Sequence, residues 1–335
     1  MSATASSSPS VSAKPGHAAV FLDRAGMLLI LAALILICSF AVPNFASPNN
    51  AESVLLSVST VGIVATTMLF CLASGNFDLS VGTIIPAGGV LCSLILRETG
   101  SLPLALAGSL GFGAIVGAVN GVVVAKFKIN PLITTLSTMM MVKGLAFAFA
   151  DSRSIGISHD GILGLANAAF PVFHNDRGGI LFQITAPVWI CFALFAIFGF
   201  LLQRTTFGRN TLAIGGNEEA ARLAGISVAR VKIAIFVLQG AIAALAGVLL
   251  AARMGIGDPK VAPGIELSII SACVLGGVSL SGGIGRMSYV IAGVFIMGIV
   301  ENAMNLLSIK HDYQYIVRGA ILLSAVLFDR FRQRN

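Results

Sequence analysis

Charge is scarce in this 335-residue sequence: Asp, Glu, Lys and Arg together make up 10%, against 56% apolar residues. A soluble domain carries roughly 25% charged residues. One water-facing surface cannot be built from this chain, and much of its solvent must be lipid. Ligand-type clusters are equally thin. His17, His159, His174 and His311 are far apart without metal-ligand spacing, and are expected in loops. Cys38, Cys71, Cys92, Cys191 and Cys273 all fall in apolar runs, where a thiol acts as a small hydrophobe, so they receive no disulfide or metal role. The nucleotide-loop string G-x-x-x-x-G-K-[ST] occurs nowhere, which leaves the cluster Gly282-Gly283-Ile284-Gly285 as a turn. The net charge is +7, but Lys and Arg are scattered between apolar runs. That pattern speaks for membrane orientation and against nucleic acid.

Glycine is plentiful at 37 residues, which suits helices in lipid, where small residues let backbones approach closely. About 20 apolar residues in a helix cross a hydrocarbon core of roughly 30 Å. Runs of that order lie at 25–42, 53–73, 81–96, 102–125, 131–150, 187–202, 233–252, 267–278, 287–307 and 315–328. The expectation is an all-α polytopic fold of ten transmembrane helices. The first run exceeds the apolar core of a signal peptide, lacks a clean A-x-A site and is read as a span. Residues 1–20, rich in Ser, Ala and Pro, are expected to form a disordered cytoplasmic tail, and residues 21–335 a single transmembrane domain. Basic residues are retained on the cytoplasmic side. With the N-terminus inside, that side collects Lys126, Lys128, Arg204, Arg209, Arg222, Arg230, Lys232 and the Arg-rich C-terminus, while Arg97, Arg153, Arg177, Arg253, Lys260 and Lys310 lie outside. The bias predicts both termini in the cytoplasm.

Two loops are long. The outside loop, 151–186, docks a partner, covers a pore mouth or merely caps the bundle. In the inside loop, 203–232, Asn217 suits an N-cap, Glu218 and Glu219 complement the positive end of a helix, and Gly225 suits its stop. The spacing predicts a helix over 218–224, too short to stand alone and therefore packed against something. Its Ala220, Ala221 and Ala224 permit close entry into a groove; the alternative is a surface helix that tidies the loop. Elsewhere, Gly75 suits a positive-φ helix end, and Asp78 a cap on the helix that follows or a substrate contact. An echo between Gly75-Asn-Phe-Asp-Leu-Ser and Gly277-Val-Ser-Leu-Ser suggests an internal repeat. Gly113, Gly117 and Gly121 form a small-residue face that presses on a neighbouring helix or on a second copy.

Three motifs carry a resemblance. The segment 205–226, T-T-F-G-R-N-T-L-A-I-G-G-N-E-E-A-A-R-L-A-G-I, contains Glu219-Ala220-Ala221 followed by Gly225. It resembles the E-A-A-x-x-x-G loop of permease subunits in ATP-binding-cassette importers, although the I-x-L-P tail of other branches is absent. Residues 72–82, L-A-S-G-N-F-D-L-S-V-G, and 275–285, L-G-G-V-S-L-S-G-G-I-G, are similar to two further motifs of the ribose, xylose and arabinose branch. With Glu301-Asn-Ala-Met-Asn305 they lie nearest the arabinose members. The resemblance implies a multi-pass permease of the bacterial inner membrane that moves a monosaccharide, with L-arabinose the expected cargo. It implies a homodimer, two copies of an ATPase that hold ATP and Mg, and a periplasmic sugar-binding protein, with no catalytic residue or cofactor on this chain. Gly215, Asn217, Glu218, Glu219, Ala220, Ala221 and Gly225 take the role of coupling to the ATPase. Gly75, Asp78, Gly277, Gly282, Gly283 and Gly285 are structural turn or cap positions.

Polar groups inside spans are expensive and mark function by default. Asn120, Lys143, Phe147, Glu301, Asn302, Asn305 and Arg318 are therefore candidates for the substrate pathway, where donors, acceptors and an aromatic face replace a sugar's water. Glu301 pairing with Lys143 or Arg318 as an internal brace is the alternative. A secondary transporter driven by an ion gradient, with Glu301 as its acid, is a second functional reading.

Overall fold

A computed structural model describes residues 17–174 and 180–332. The chain is mostly helical, at 76%. Its first helix, α1 (His17–Ala41), takes in residues 17–20 of the expected tail; residues 1–16 lie outside the described residues. Then follow α2 (Pro48–Ala73), α3 (Val81–Thr99), α4 (Leu102–Ala125) and α5 (Pro131–Phe149). Prolines stand at the first turns of α2, α4 and α5, where their missing N–H costs no helical bond. Ser47 and Asn130 accept from the first-turn amides of α2 and α5.

The long loop 151–186 contains β1 (Ile155–Gly156), α6 (Asp160–Asn167), β2 (Ala169–His174) and β3 (Ile180–Thr185). The chain continues with α7 (Ala186–Arg204), α8 (Thr206–Gly216), α9 (Glu218–Leu223), α10 (Val228–Met254), β4 (Ile256–Gly257), α11 (Ile265–Leu275), α12 (Met287–Leu306) and α13 (His311–Arg332). The all-α expectation is thus corrected by two small antiparallel sheets. In one, β1 pairs with β4, and in the other β2 with β3. The hairpin docks on α2, where Glu52 Oε1 accepts from the Gln183 amide at 2.7 Å. Three histidines depart from the loop expectation, since His17 is in α1, His174 ends β2 and His311 opens α13; His159 lies in the loop and caps α6 by accepting from the Gly161 amide.

Among the described residues seven helices are long and apolar enough to cross a membrane: α2, α3, α4, α5, α7, α10 and α12. The run expected at 267–278 is a half-helix, since α11 has 11 residues and rises only about 16 Å. Gly264, at φ +78°, opens it, and Gly277, at φ +72°, closes it. Its N-terminal turn meets that of α3, because a Cβ at Gly82 would overlap the Glu266 carboxylate.

The α3 helix begins inside the bundle. Gly88 and Gly89 lie against Ala244 and Gly247 of the parallel α10, which sets Val81 about 15 Å along α10 from Val228 at 1.5 Å per residue. The connection 74–80 runs through the protein: Asn76, Asp78 and Ser80 are all buried.

The glycine face of α4 packs within the chain. Gly113 meets Gly240, Gly117 meets Phe236 and Gly121 meets Ile233 of α10, so closely that a Cβ at Gly113 or Gly117 would overlap backbone. The suspected repeat has a structural counterpart. After α2, the Gly75 amide donates to Leu72 O and the Asn76 amide to Cys71 O, both at 2.9 Å. After α11, Gly277 donates to Val274 O at 2.8 Å and Val278 to Cys273 O at 3.1 Å. Both helices therefore end in the same Schellman turn, with glycine at the left-handed position.

Candidate functional site

The short helix α9 is built from one residue that serves two helices. The Asn217 amide donates to Ala213 O at 3.0 Å and closes α8, while its Oδ1 accepts from the Ala220 amide at 2.9 Å and opens α9. At the other end Gly225, at φ +84°, donates to Arg222 O, and Ile226 donates to Ala221 O. Glu218 accepts from Arg222 Nη2 at 2.8 Å and from Lys232 Nζ of α10 at 2.7 Å. The Lys232 hydrogen bond comes first among the causes that hold this carboxyl below its ordinary value. Glu219 reaches only Arg222, at 3.3 Å, and points to solvent. Ala221 is buried against the chain's own core, so of the three alanines only Ala220 and Ala224 are free for a partner's groove. Beside them Leu223 stands 82% exposed.

The α8–α9 unit is seated on the membrane domain by glycines. Gly283 N donates to Ala73 O at the end of α2, at 2.8 Å. Gly215 of α8 lies directly over that bond: a Cβ there would overlap Ala73 O and lie 2.5 Å from Gly283 N. One at Gly282 would lie 2.7 Å from Gly215 O and 2.9 Å from Gly75 N. Three motifs far apart in sequence thus meet at one junction, where backbones touch and side chains have no room. Gly282 and Gly283 also take positive φ, at +88° and +78°. Gly285 does not, and a Cβ there would make only ordinary contacts with Leu69 and Ala73.

The candidate pathway residues divide. Asn120 is fully buried; its Nδ2 donates to Ser80 Oγ at 3.0 Å and its Oδ1 accepts from Thr138 Oγ1 at 2.6 Å, which ties α3, α4 and α5 together. Asp78 joins this network. Its Oδ1 accepts from the Ser80 amide and hydroxyl, so it shapes the turn before α3, whose N-cap position belongs to Ser80. Asn302 pairs with Asn50 through two hydrogen bonds of 2.8 and 3.1 Å, and Asn305 accepts from Gln314 at 2.9 Å. Lys143 is exposed on α5, with half-buried Phe147 one turn on. Among the described residues Lys143 makes no salt bridge, and Glu301 pairs with Arg318 at 3.0 Å.

Glu301 and Arg318 line a cavity of about 290 Å³, together with Ser57, Thr60, Arg253 and Ser268. The last four were missed in the sequence, as was buried Glu266. Ser and Thr are common in spans and carry no periodic signal, Arg253 stands one residue after its apolar run and looks like a loop charge, and Glu266 stands one residue before its own.

Comparison with known proteins extends these observations. Residues 50–326 match the family model described as branched-chain amino acid transport system / permease component. The chain is 51% identical over 312 residues to the L-arabinose transport system permease protein AraH of Escherichia coli (strain K12), covering 93% of this chain and 92% of that protein. It is 46% identical over 314 residues to the L-arabinose ABC transporter permease protein AraH of Azospirillum brasilense, covering 94% and 89%. Against the ribose import permease protein RbsC of Bacillus subtilis (strain 168) identity is 38% over 310 residues, covering 92% and 93%. No solved structure matches.

Proposed function

The chain belongs to the family described as branched-chain amino acid transport system / permease component, and from that membership we propose that it is the permease subunit of an ATP-driven importer carrying L-arabinose into the cytoplasm. It is a multi-pass inner-membrane protein. The cargo reading rests on identity, which is higher to the two arabinose permeases than to the ribose permease. The full assembly is two copies of this chain, two ATPase subunits that bind ATP and Mg, and a periplasmic sugar-binding protein. α1, α11 and α13 complete ten membrane segments with both termini in the cytoplasm, and residues 203–232 form the cytoplasmic coupling loop.

In this reading α9 is the coupling helix. The observation that carries it is the junction of Gly215, Ala73 and Gly283. A helix of six residues has little stability of its own, yet this one is capped at both ends, tied to α10 through Glu218 and Lys232, and joined through Asn217 to α8, whose Gly215 is seated on the end of α2. It exposes Leu223, Ala220 and Ala224 to a partner. A push on that surface reaches α2 and the turn after α11 through backbone contacts with no side chain to absorb it. ATP shifts the balance between outward- and inward-open forms only by as much as the closed ATPase prefers one position of α9.

An ion-coupled transporter would need an acid free to take up and release its cation. Glu301, the main candidate for it, is already paired with Arg318. Proteoliposomes that contain this chain with its ATPase and binding protein should take up L-arabinose only while ATP is hydrolysed. Uptake by the permease alone, driven by a proton or sodium gradient, would establish the rival instead.

A further inference from the structure

The cavity is set in one half of the membrane domain by helix geometry. Ser57 lies about 14 Å along α2 from Pro48, and Glu301 about 21 Å along α12 from Met287, at 1.5 Å per residue. Both positions put it toward the end of the bundle away from the α8–α9 junction, which is the outward side in the reading above. Its volume of about 290 Å³ matches that of about ten water molecules in the liquid. A pentose has ten heavy atoms bonded to one another, and fits.

The lining suits a neutral polyol, each of whose hydroxyls seeks both a donor and an acceptor. Glu301 Oε1 accepts from Ser268 Oγ at 2.9 Å and faces Arg318 Nε at 3.0 Å, while Oε2 has no hydrogen bond among the described residues. The Arg318 Nε–H does not point at the carboxylate closely enough for a hydrogen bond and is left as a buried donor without an acceptor. The pair thus cancels its own charge, and Glu301 Oε2 as acceptor and the Arg318 Nη groups as donors keep no hydrogen bond among the described residues. Ser57 and Thr60 add two hydroxyls, and Val61 and Leu250 an apolar wall for the C–H face of a sugar ring. A cavity that needed only to be plugged would have no use for this set, since polar groups at membrane depth are costly unless they find partners.

We infer that this cavity, within a single copy of the chain, is a sugar subsite on the outward half of the pathway, with Glu301 held by Arg318 and Ser268 as its principal acceptor. The inference rests on reading the chain as a monosaccharide permease. The five native cysteines are all buried, so a thiol placed on the lining is selectively addressable. The test uses the complete importer in proteoliposomes. Ser57→Cys and Thr60→Cys variants, folded and purified first, are modified with a bulky hydrophilic methanethiosulfonate and compared with the same variants unmodified; the parent chain is treated in parallel.

The expected result is loss of L-arabinose uptake on modification, with binding-protein-stimulated ATP hydrolysis retained. A small methylthio adduct should cost less uptake than the bulky one, and L-arabinose present during labelling should slow the modification. Unchanged uptake after complete modification at both positions would overturn the inference, as would equal loss of uptake and ATP hydrolysis, which marks a conformational joint and not a subsite. Failure of the permease reading looks different: the unmodified importer would then transport without ATP.

Discussion

Replacing Gly215 by alanine adds one methyl group at the place where α8, the helix that carries α9, is seated on the membrane domain. That methyl would overlap Ala73 O and lie 2.5 Å from Gly283 N, both backbone atoms that cannot rotate away. Ordinary contact begins at 3.4 Å, so α8 must retreat from Ala73 O by more than an ångström, or the 282–283 turn must yield and stretch its bond to Ala73 O. Overpacking of this kind costs about 1–3 kcal/mol. Because the strain falls on a joint between two positions of the protein, it is expected to bias transport by roughly 5–150-fold. Gly216 supplies the control: a Cβ there meets nothing within 4 Å, and Gly→Ala near a helix end is neutral or favourable by up to about 1 kcal/mol. Both variants would be reconstituted with the ATPase and binding protein, and uptake per ATP hydrolysed measured beside the melting temperature of the purified permease. Gly215→Ala should lose most uptake with a modest drop in melting temperature, and Gly216→Ala should match the parent. Equal uptake by the two variants would refute the claim that the junction transmits force.

Three further outcomes follow from local geometry. Asn217→Ala removes the cap shared by α8 and α9, at a cost of about 1 kcal/mol, and should raise hydrogen exchange at the α9 amides while the α10 amides stay protected. Glu218 has its carboxyl lowered from 4.5, first by the Lys232 hydrogen bond. The stability this adds is present above the ordinary carboxylate range and is lost as pH falls through the lowered value. Exchange protection of α9 should therefore hold through the ordinary carboxylate range and fade only on acidification below it, and a Lys232→Met variant should weaken that acid dependence. Arg318→Met strands Glu301 in a mostly buried position and should cost about 3 kcal/mol, seen as a lower melting temperature, part of which returns in the double variant Arg318→Met with Glu301→Gln.

The sequence announced helices well, because a run of apolar residues and a flanking Pro, Asn or Gly act locally: Asn217 and Gly225 both cap where their chemistry suggested. Depth is a different matter. Hydropathy does not report where along the bundle a helix starts, so the mid-bundle start of α3 and the halved α11 were hidden in runs that looked like ordinary spans. The sites depend on partners distant in sequence. Asn302 has the chemistry of a pathway group, but its amide is taken up by Asn50, 252 residues away in sequence. The glycines of three motifs gave no sign that they were one junction, since glycine at a turn and glycine at a backbone contact look alike in sequence. Ala221 looked free for a partner because helix periodicity gives a residue's face but not what lies beneath that face.

The claim that α9 is the handle of the ATPase is tested most directly by contact. With a photoreactive side chain in place of Leu223, the most exposed apolar residue of α9, illumination of the assembled importer should join this chain to the ATPase subunit. The yield should change between nucleotide-free and ATP-bound states. A photoproduct confined to lipid, water or the permease itself, in every nucleotide state, would contradict the account.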